Sequence, residues 1–290
     1  MDSTRPDKEP QSSVPANPPD AVDAVAPCAD AWIDGVWTDS VSAYDAGFQR
    51  GFGVFETIGV FVDGLPLWGD HMARLRHGAA VLGLQCTLPE DLEARALELL
   101  RRNRGDDIVR VTLTGGVTAP TLCLTTRARR WTGRPRQLFV SRQQRARRDP
   151  LAAIKCTSGA VFELAQAEAR AAGADEALLL GAGKRVLETA IGNVFFRTGE
   201  RIHTPVADGS FLAGVGRAVL IRELRRASIP VEEADYRLAD LRRADEIFVT
   251  NAVYGPRPAT LRGDCAASMW PAVATAWQRG LARAVGVAEP

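Results

Sequence analysis

The chain has 290 residues, 46% of them hydrophobic and 24% charged, with a formal net charge of +1. That is enough apolar material for two modest domains or one large one, and it excludes a fibrous or wholly disordered chain. Near-neutral charge gives no general attraction to nucleic acid, and no run of about 18 apolar residues is present to span a membrane. The basic stretches Arg142 to Arg148 and Arg222 to Arg226 read as solvated faces. Five cysteines (Cys28, Cys86, Cys123, Cys156, Cys265) form no C-x-x-C pair, and His71, His77 and His203 lack metal-ligand spacing. Neither a disulfide framework nor a metal site follows. With no charged-then-apolar leader at the N-terminus, a cytoplasmic protein in a reducing compartment is expected.

In chain order, residues 1–29 are rich in Pro, Ser, Asp and Ala without an aromatic side chain, which predicts a disordered tail. Order is expected from Ala31, where Asp34-Gly35 separates two apolar runs as a β-hairpin. A second hairpin is predicted from Val54 to Val62, turning at Asp63-Gly64 and returning over Leu65 to Trp68. Helices follow at 69–82, with Met72, Leu75, Ala79 and Leu82 at helical spacing, and at 89–103, begun by Pro89 and stopped before Gly105. Strands at 108–114, 121–125 and 137–141 complete an N-terminal α+β domain over residues 30–142. The polar stretch 143–150 ends in proline and reads as an interdomain linker. The larger C-terminal domain, 151–290, is expected to hold helices at 161–172, 215–227 and 269–285. Strands are expected there at 176–180, 185–187, 193–197 and 246–250.

Several familiar motifs fail on inspection. Gly51-Phe52-Gly53 is followed by Glu56 where a dinucleotide loop needs its third glycine, and Gly183-Lys184 lacks the first glycine of a phosphate loop. No G-x-S-x-G elbow is present. Four other features carry chemistry together. Arg74 lies in His71-Met72-Ala73-Arg74-Leu75, and Lys155 follows the apolar Ala152-Ala153-Ile154. Glu188 closes a strand ahead of Thr189-Ala190-Ile191-Gly192-Asn193, and Leu212-Ala213-Gly214-Val215-Gly216 turns into a helix. Singly, each has an ordinary explanation in a turn, a helix pair or a surface lysine. Burial at the end of an apolar run would depress the pKa of Lys155.

In order and spacing these passages resemble the fold-type IV pyridoxal-phosphate enzymes, a family of aminotransferases and 4-amino-4-deoxychorismate lyases. Gly51-Phe52-Gly53-Val54-Phe55-Glu56-Thr57, His71 to Leu75 and Glu168 to Phe195 carry it, within a likeness running from about Trp32 to Val285. The resemblance implies an α/β (α+β) chain of two domains with pyridoxal 5'-phosphate between them, a small-molecule substrate and a homodimer. It implies that Lys155 bonds the cofactor and shuttles protons, and that Glu188 pairs with the pyridine nitrogen. Arg74 and the backbone N–H groups of Val215 and Gly216 would hold the phosphate, with Asn193, Asn251 and Ala252 also at the cofactor. Gly216 stands where the family usually has threonine.

The run Thr250-Asn251-Ala252-Val253-Tyr254-Gly255 looks like the lyases, and Gly59 stands where branched-chain aminotransferases have arginine. The expected reaction is therefore elimination of pyruvate to leave 4-aminobenzoate, as in folate biosynthesis. An aminotransferase for D- or branched-chain amino acids is the alternative. The Arg-Gly-x-Gly-x-Arg-Gly stretch common in lyases is reduced here to Gly115-Gly116-Val117-Thr118-Ala119-Pro120, and Arg110 or Arg127 would have to substitute for its cations.

Overall fold

A computed structural model of the chain describes residues 30–61, 64–130, 134–146, 149–261 and 271–286. The tail expected over 1–29, Asp63 of the second turn, Arg147 and Arg148 of the linker, and the start of the last helix at Met269 lie outside them. Among the described residues no helix is long and apolar enough to cross a membrane.

The first hairpin forms as β1 (Trp32–Ile33) and β2 (Val36–Trp37). Its turn residues Asp34 and Gly35 both take positive φ, 47° and 93°, the twist that a two-residue hairpin needs. A short helix not expected from the sequence, α1 (Ala46–Arg50), is capped by Asp45, which accepts from Gly47 N–H. Strand β3 (Gly53–Gly59) follows, but the return strand expected over Leu65 to Trp68 does not form. Among the described residues one bridge, Phe61 to Gly64, closes the turn, and Trp68 already begins α2 (Trp68–Leu82). The reason is competition. β3 pairs along all seven residues with β4 (Ile108–Thr114), which follows α3 (Leu92–Arg102). Leu65 and Leu67 are buried in separate apolar clusters instead.

With β5 (Thr121–Arg127), these strands make an antiparallel five-stranded sheet in the order β2-β1-β5-β4-β3. Alternation gives it two unlike faces. Val54, Ile58, Val109, Val111, Leu113, Leu122 and Leu124 are buried with Met72 and Leu75 of α2 and Ala96 and Leu99 of α3. Each buried leucine contributes about 1.5–3 kcal/mol. The opposite face carries Phe55, Thr57, Arg110, Thr112, Cys123 and Thr125, all half-buried.

The second sheet has eight strands: β6 (Arg136–Gln144), β7 (Glu176–Gly181), β8 (Arg185–Thr189), β9 (Asn193–Thr198), β10 (Arg201–Pro205), β11 (Val231–Ala234), β12 (Glu246–Asn251) and β13 (Gly255–Thr260). Their order is β11-β10-β9-β12-β13-β6-β7-β8. The expected strand at 137–141 is therefore β6, which pairs with β13 and β7 and belongs to this sheet rather than completing the N-terminal unit. Helix α4 (Ala160–Ala171) packs on β7 through Ala165 and Ala169. Helices α5 (Val215–Arg226) and α7 (Pro271–Ala284) cover Phe195 and Phe248. On the other side Val194, Phe196, Ile247 and Val249 pack with α6 (Leu238–Arg242). The sheet is buried on both faces, and its ends curl together, because Val186 N–H donates to Tyr236 C=O and Arg185 pairs with Asp235 at 2.5 Å.

Candidate active site

Lys155 reaches the site from an unexpected side. Although it follows β6 in sequence, its segment adds to the free edge of β3: Phe55 N–H donates to Lys155 C=O and Thr157 N–H to Gly53 C=O, both at 2.9 Å. Cys156 stands opposite Val54, so Ile154 and Cys156 enter the core of the small sheet. The same alternation turns Lys155 onto the polar face. There its Nζ lies 4.6 Å from the centroid of the Phe55 ring, and the Arg110 guanidinium carbon lies 3.7 Å from that ring. Burial, with Arg74 adding to it, lowers the lysine pKa to about 8. About a tenth of the amine is then neutral and nucleophilic at pH 7, far more than for an ordinary lysine.

Glu188 approaches from the large sheet, at the end of β8, and is 4% exposed. Burial pushes its pKa up to about 8, against the opposing pull of Arg145, the Leu212 N–H and Lys155. Its Oε2 accepts from Leu212 N–H at 3.3 Å, whereas Oε1 has no hydrogen-bond partner among the described residues. A buried carboxyl oxygen without a partner is costly, and a protonated ring nitrogen delivered into the site would satisfy it.

Leu212 also opens the turn that leads into α5. The Asn193 side chain holds that turn from both ends, donating to Leu212 C=O at 2.9 Å and accepting from Gly214 N–H at 3.0 Å. Its amide is thereby committed to the turn. A Cβ at Gly216 would lie 2.9 Å from the Asn251 carbonyl carbon and 3.1 Å from the Ala252 nitrogen, so glycine here allows the start of α5 to meet the β12–β13 turn. Asn251 is likewise engaged locally, accepting from Val253 and Tyr254 N–H and donating to Ile191 C=O. Ala252 is buried against Val215 and Trp277. The first N–H groups of α5 thus open beside this turn, an arrangement that suits an anion.

Arg74 lies beside the same helix start, donating to Ala213 C=O at 3.3 Å. Its other nitrogens form a fork on Glu56, Nε to Oε1 at 2.8 Å and Nη2 to Oε2 at 2.6 Å. His71 Nδ1 is 2.6 Å from Oε2 of the same carboxylate. Burial of Glu56 is outweighed by these partners, Arg74 first, and its pKa falls to about 2. Sequence reading gave Glu56 and His71 no role. The signal was there: a glutamate at the core parity of β3 between Val54 and Ile58 demands a buried cation, and His71 and Arg74 present one on a single helix face.

Residues 53–261 match the model of the family described as amino-transferase class IV. The chain belongs to this family. A D-alanine aminotransferase of Listeria monocytogenes is 28% identical over 237 residues, 76% of this chain and 82% of the relative. A putative branched-chain-amino-acid aminotransferase of Methanocaldococcus jannaschii is 31% identical over 242 residues, 76% of this chain and 83% of the relative. The solved 4-amino-4-deoxychorismate lyase of Pseudomonas aeruginosa superposes with a TM-score of 0.69 at 27% identity, over 79% of this chain and 90% of that one. These relatives span three reactions, so likeness identifies the family and leaves the reaction to the site's own residues.

Proposed function

We propose that the protein is a pyridoxal-phosphate-dependent 4-amino-4-deoxychorismate lyase. The observation that carries the cofactor is the convergence of Lys155, with its lowered pKa, and Glu188, whose Oε1 has no partner among the described residues, beside the turn into α5. Bound there, pyridoxal phosphate supplies an electron-withdrawing ring that stabilises negative charge on a carbon that has lost its proton. Lys155 would be the residue that holds the cofactor's aldehyde end, and its amine would be the base that takes the C4 proton. Glu188 holds the pyridine nitrogen protonated, and Arg74 with the Val215 and Gly216 N–H groups receives the phosphate. Asn193 supports that receptor through the turn it pins, and Asn251 and Ala252 shape its far wall.

Loss of the C4 proton is followed by breakage of the C3–O bond. The enolpyruvate released takes up a proton to become pyruvate, and aromatisation to 4-aminobenzoate drives the step. Arg110 favours this reading over a monocarboxylate aminotransferase. Stacked on Phe55 beside Lys155, it sets a cation where a substrate carboxylate can reach it, although the loop at Gly115-Gly116 is short and uncharged. The β12–β13 turn, with Asn-Ala-Val-Tyr-Gly, supports the same choice. A homodimer belongs to this reading too, since Tyr44 and Phe48 around α1 are 75% and 73% exposed.

The decisive assay supplies enzymatically generated aminodeoxychorismate and follows 4-aminobenzoate and pyruvate together. Equal formation of both is expected, falling at least about a thousandfold in Lys155→Ala. No product from protein whose cofactor absorbance is intact would overturn the lyase and favour an aminotransferase, to be screened with amino donors of both hands.

A further inference from the structure

Besides Lys155, Arg110 and, by alternation along β5, Arg127, the polar face of the small sheet holds a further arginine, on the connection after β5. Arg129 donates from Nη2 to Val60 C=O at 2.9 Å, and its guanidinium carbon lies 4.6 Å from the Phe61 ring centroid. Its Nε faces Asp107 at 3.4 Å, and its backbone N–H donates to the same carboxylate. The side chain is 18% exposed, and Nε is buried without a hydrogen-bond partner among the described residues.

Its position relative to β3 matters more than these struts. Phe55, Thr57 and Gly59 share one face of β3, the face onto which Lys155 and Arg110 also turn. A Cβ at Gly59 would lie 2.9 Å from Arg129 Nη2, 3.0 Å from the Phe61 ring and 3.1 Å from Val253 Cα. The guanidinium therefore occupies the space a side chain at 59 would fill, against the β12–β13 turn of the large sheet. Phe61, packed edge-on against Trp277 of α7 at 5.9 Å, holds this corner between the two sheets.

We propose that Arg129 is a specificity-determining residue that receives a second substrate carboxylate, with Arg110 receiving the first. The site is thereby built for a ring-borne dianion rather than for a simple amino acid. Gly59 is what admits the guanidinium, so the cation absent from β3 is supplied from the strand connection. The identification of the dianion rests on the lyase reading, but the two-cation geometry does not. Asp107 compensates part of the charge and aims it, since it is 39% exposed while the arginine is largely enclosed.

The test measures binding to the holoenzyme through perturbation of cofactor fluorescence, with chorismate as a dicarboxylate lacking the reactive amine and benzoate as a monocarboxylate. Arg129→Gln is expected to weaken chorismate about tenfold and benzoate less than about twofold, with Arg129→Lys recovering part of the loss. Equal weakening of both probes would mean a structural strut and overturn the proposal, as would no weakening of either. If Arg129→Gln does not fold, Arg129→Lys decides alone: wild-type affinity for chorismate overturns the proposal, and a selective loss of about two- to fivefold supports it. Arg129-dependent selectivity without 4-aminobenzoate formation would sink the lyase and leave the receptor standing. Product formation with kcat/KM indifferent to Arg129 would do the reverse.

Discussion

In the five-stranded sheet one face is packed with leucine and valine under α2 and α3, while the other carries mainly threonines and arginines, with Phe55 and Cys123. In the eight-stranded sheet the central strands are apolar on both faces, as Val194-Phe195-Phe196 of β9 illustrates. The contrast divides the chemistry. The large sheet has no bare face to offer, so it contributes the ends of its strands and the start of α5: Glu188, the Leu212 N–H and the first turn at Gly216. Such elements are rigid and suit a cofactor that must be held at fixed points. The small sheet offers a whole surface: Lys155 and Arg110 stand at Phe55 and Arg129 at Gly59, so that beside the proposed attachment point it presents cations suited to recognition of the variable substrate.

The sharpest way to break this division is at Arg74, the one phosphate ligand proposed from the small unit. Arg74→Met leaves Glu56 buried with only His71 for company, and a loss of about 3–5 kcal/mol in stability is expected, measured by denaturant unfolding of the apoprotein. Glu56→Gln, which keeps the shape and relaxes the charge, should destabilise less while loosening Arg74 and weakening cofactor affinity. If both variants bind pyridoxal phosphate like the wild type, Arg74 serves the small core alone.

Glu188 tests the large sheet's half. Its folded pKa of about 8 lies above the ordinary 4.5, so the folded apoprotein holds its proton where the unfolded chain has lost it. That contribution is fully present below about pH 4.5 and is lost as pH rises to about 8. Glu188→Gln should abolish this slope. Relative to its position at pH 4.5, the variant should gain on the order of a few kcal/mol over the wild-type apoprotein by pH 8. Parallel pH–stability curves would show that the carboxyl is not enclosed as described.

The smallest effect is expected at Gly216. Gly216→Ala places a methyl 2.9–3.1 Å from the backbone of Asn251 and Ala252, which should cost about 1–2 kcal/mol and weaken the cofactor several-fold as α5 backs away. A neutral result would mean that the helix start and the turn move independently.

Turn residues, apolar runs and helical spacing placed most elements: the first hairpin, α2 within one residue, and strands β4, β8 and β9 to within two. Such patterns are local consequences of which side chains must be buried. The candidate lysine, glutamate and glycine turn were legible only as separate pieces, and resemblance tied them together. What the tertiary structure alone decided is which unit each piece serves. Strand β6 was assigned to the wrong sheet because parallel pairing with β7 and β13 spans distant sequence and leaves no short-range mark. The edge position of Lys155 on β3 was hidden for the same reason, the bridge from Val54 to Cys156 linking residues about a hundred apart. The Glu56–His71–Arg74 cluster and the seat of Arg129 over Gly59 depend on packing in three dimensions. Burial, which turns a charged residue into a required partnership, exists only once the sheets have closed on one another.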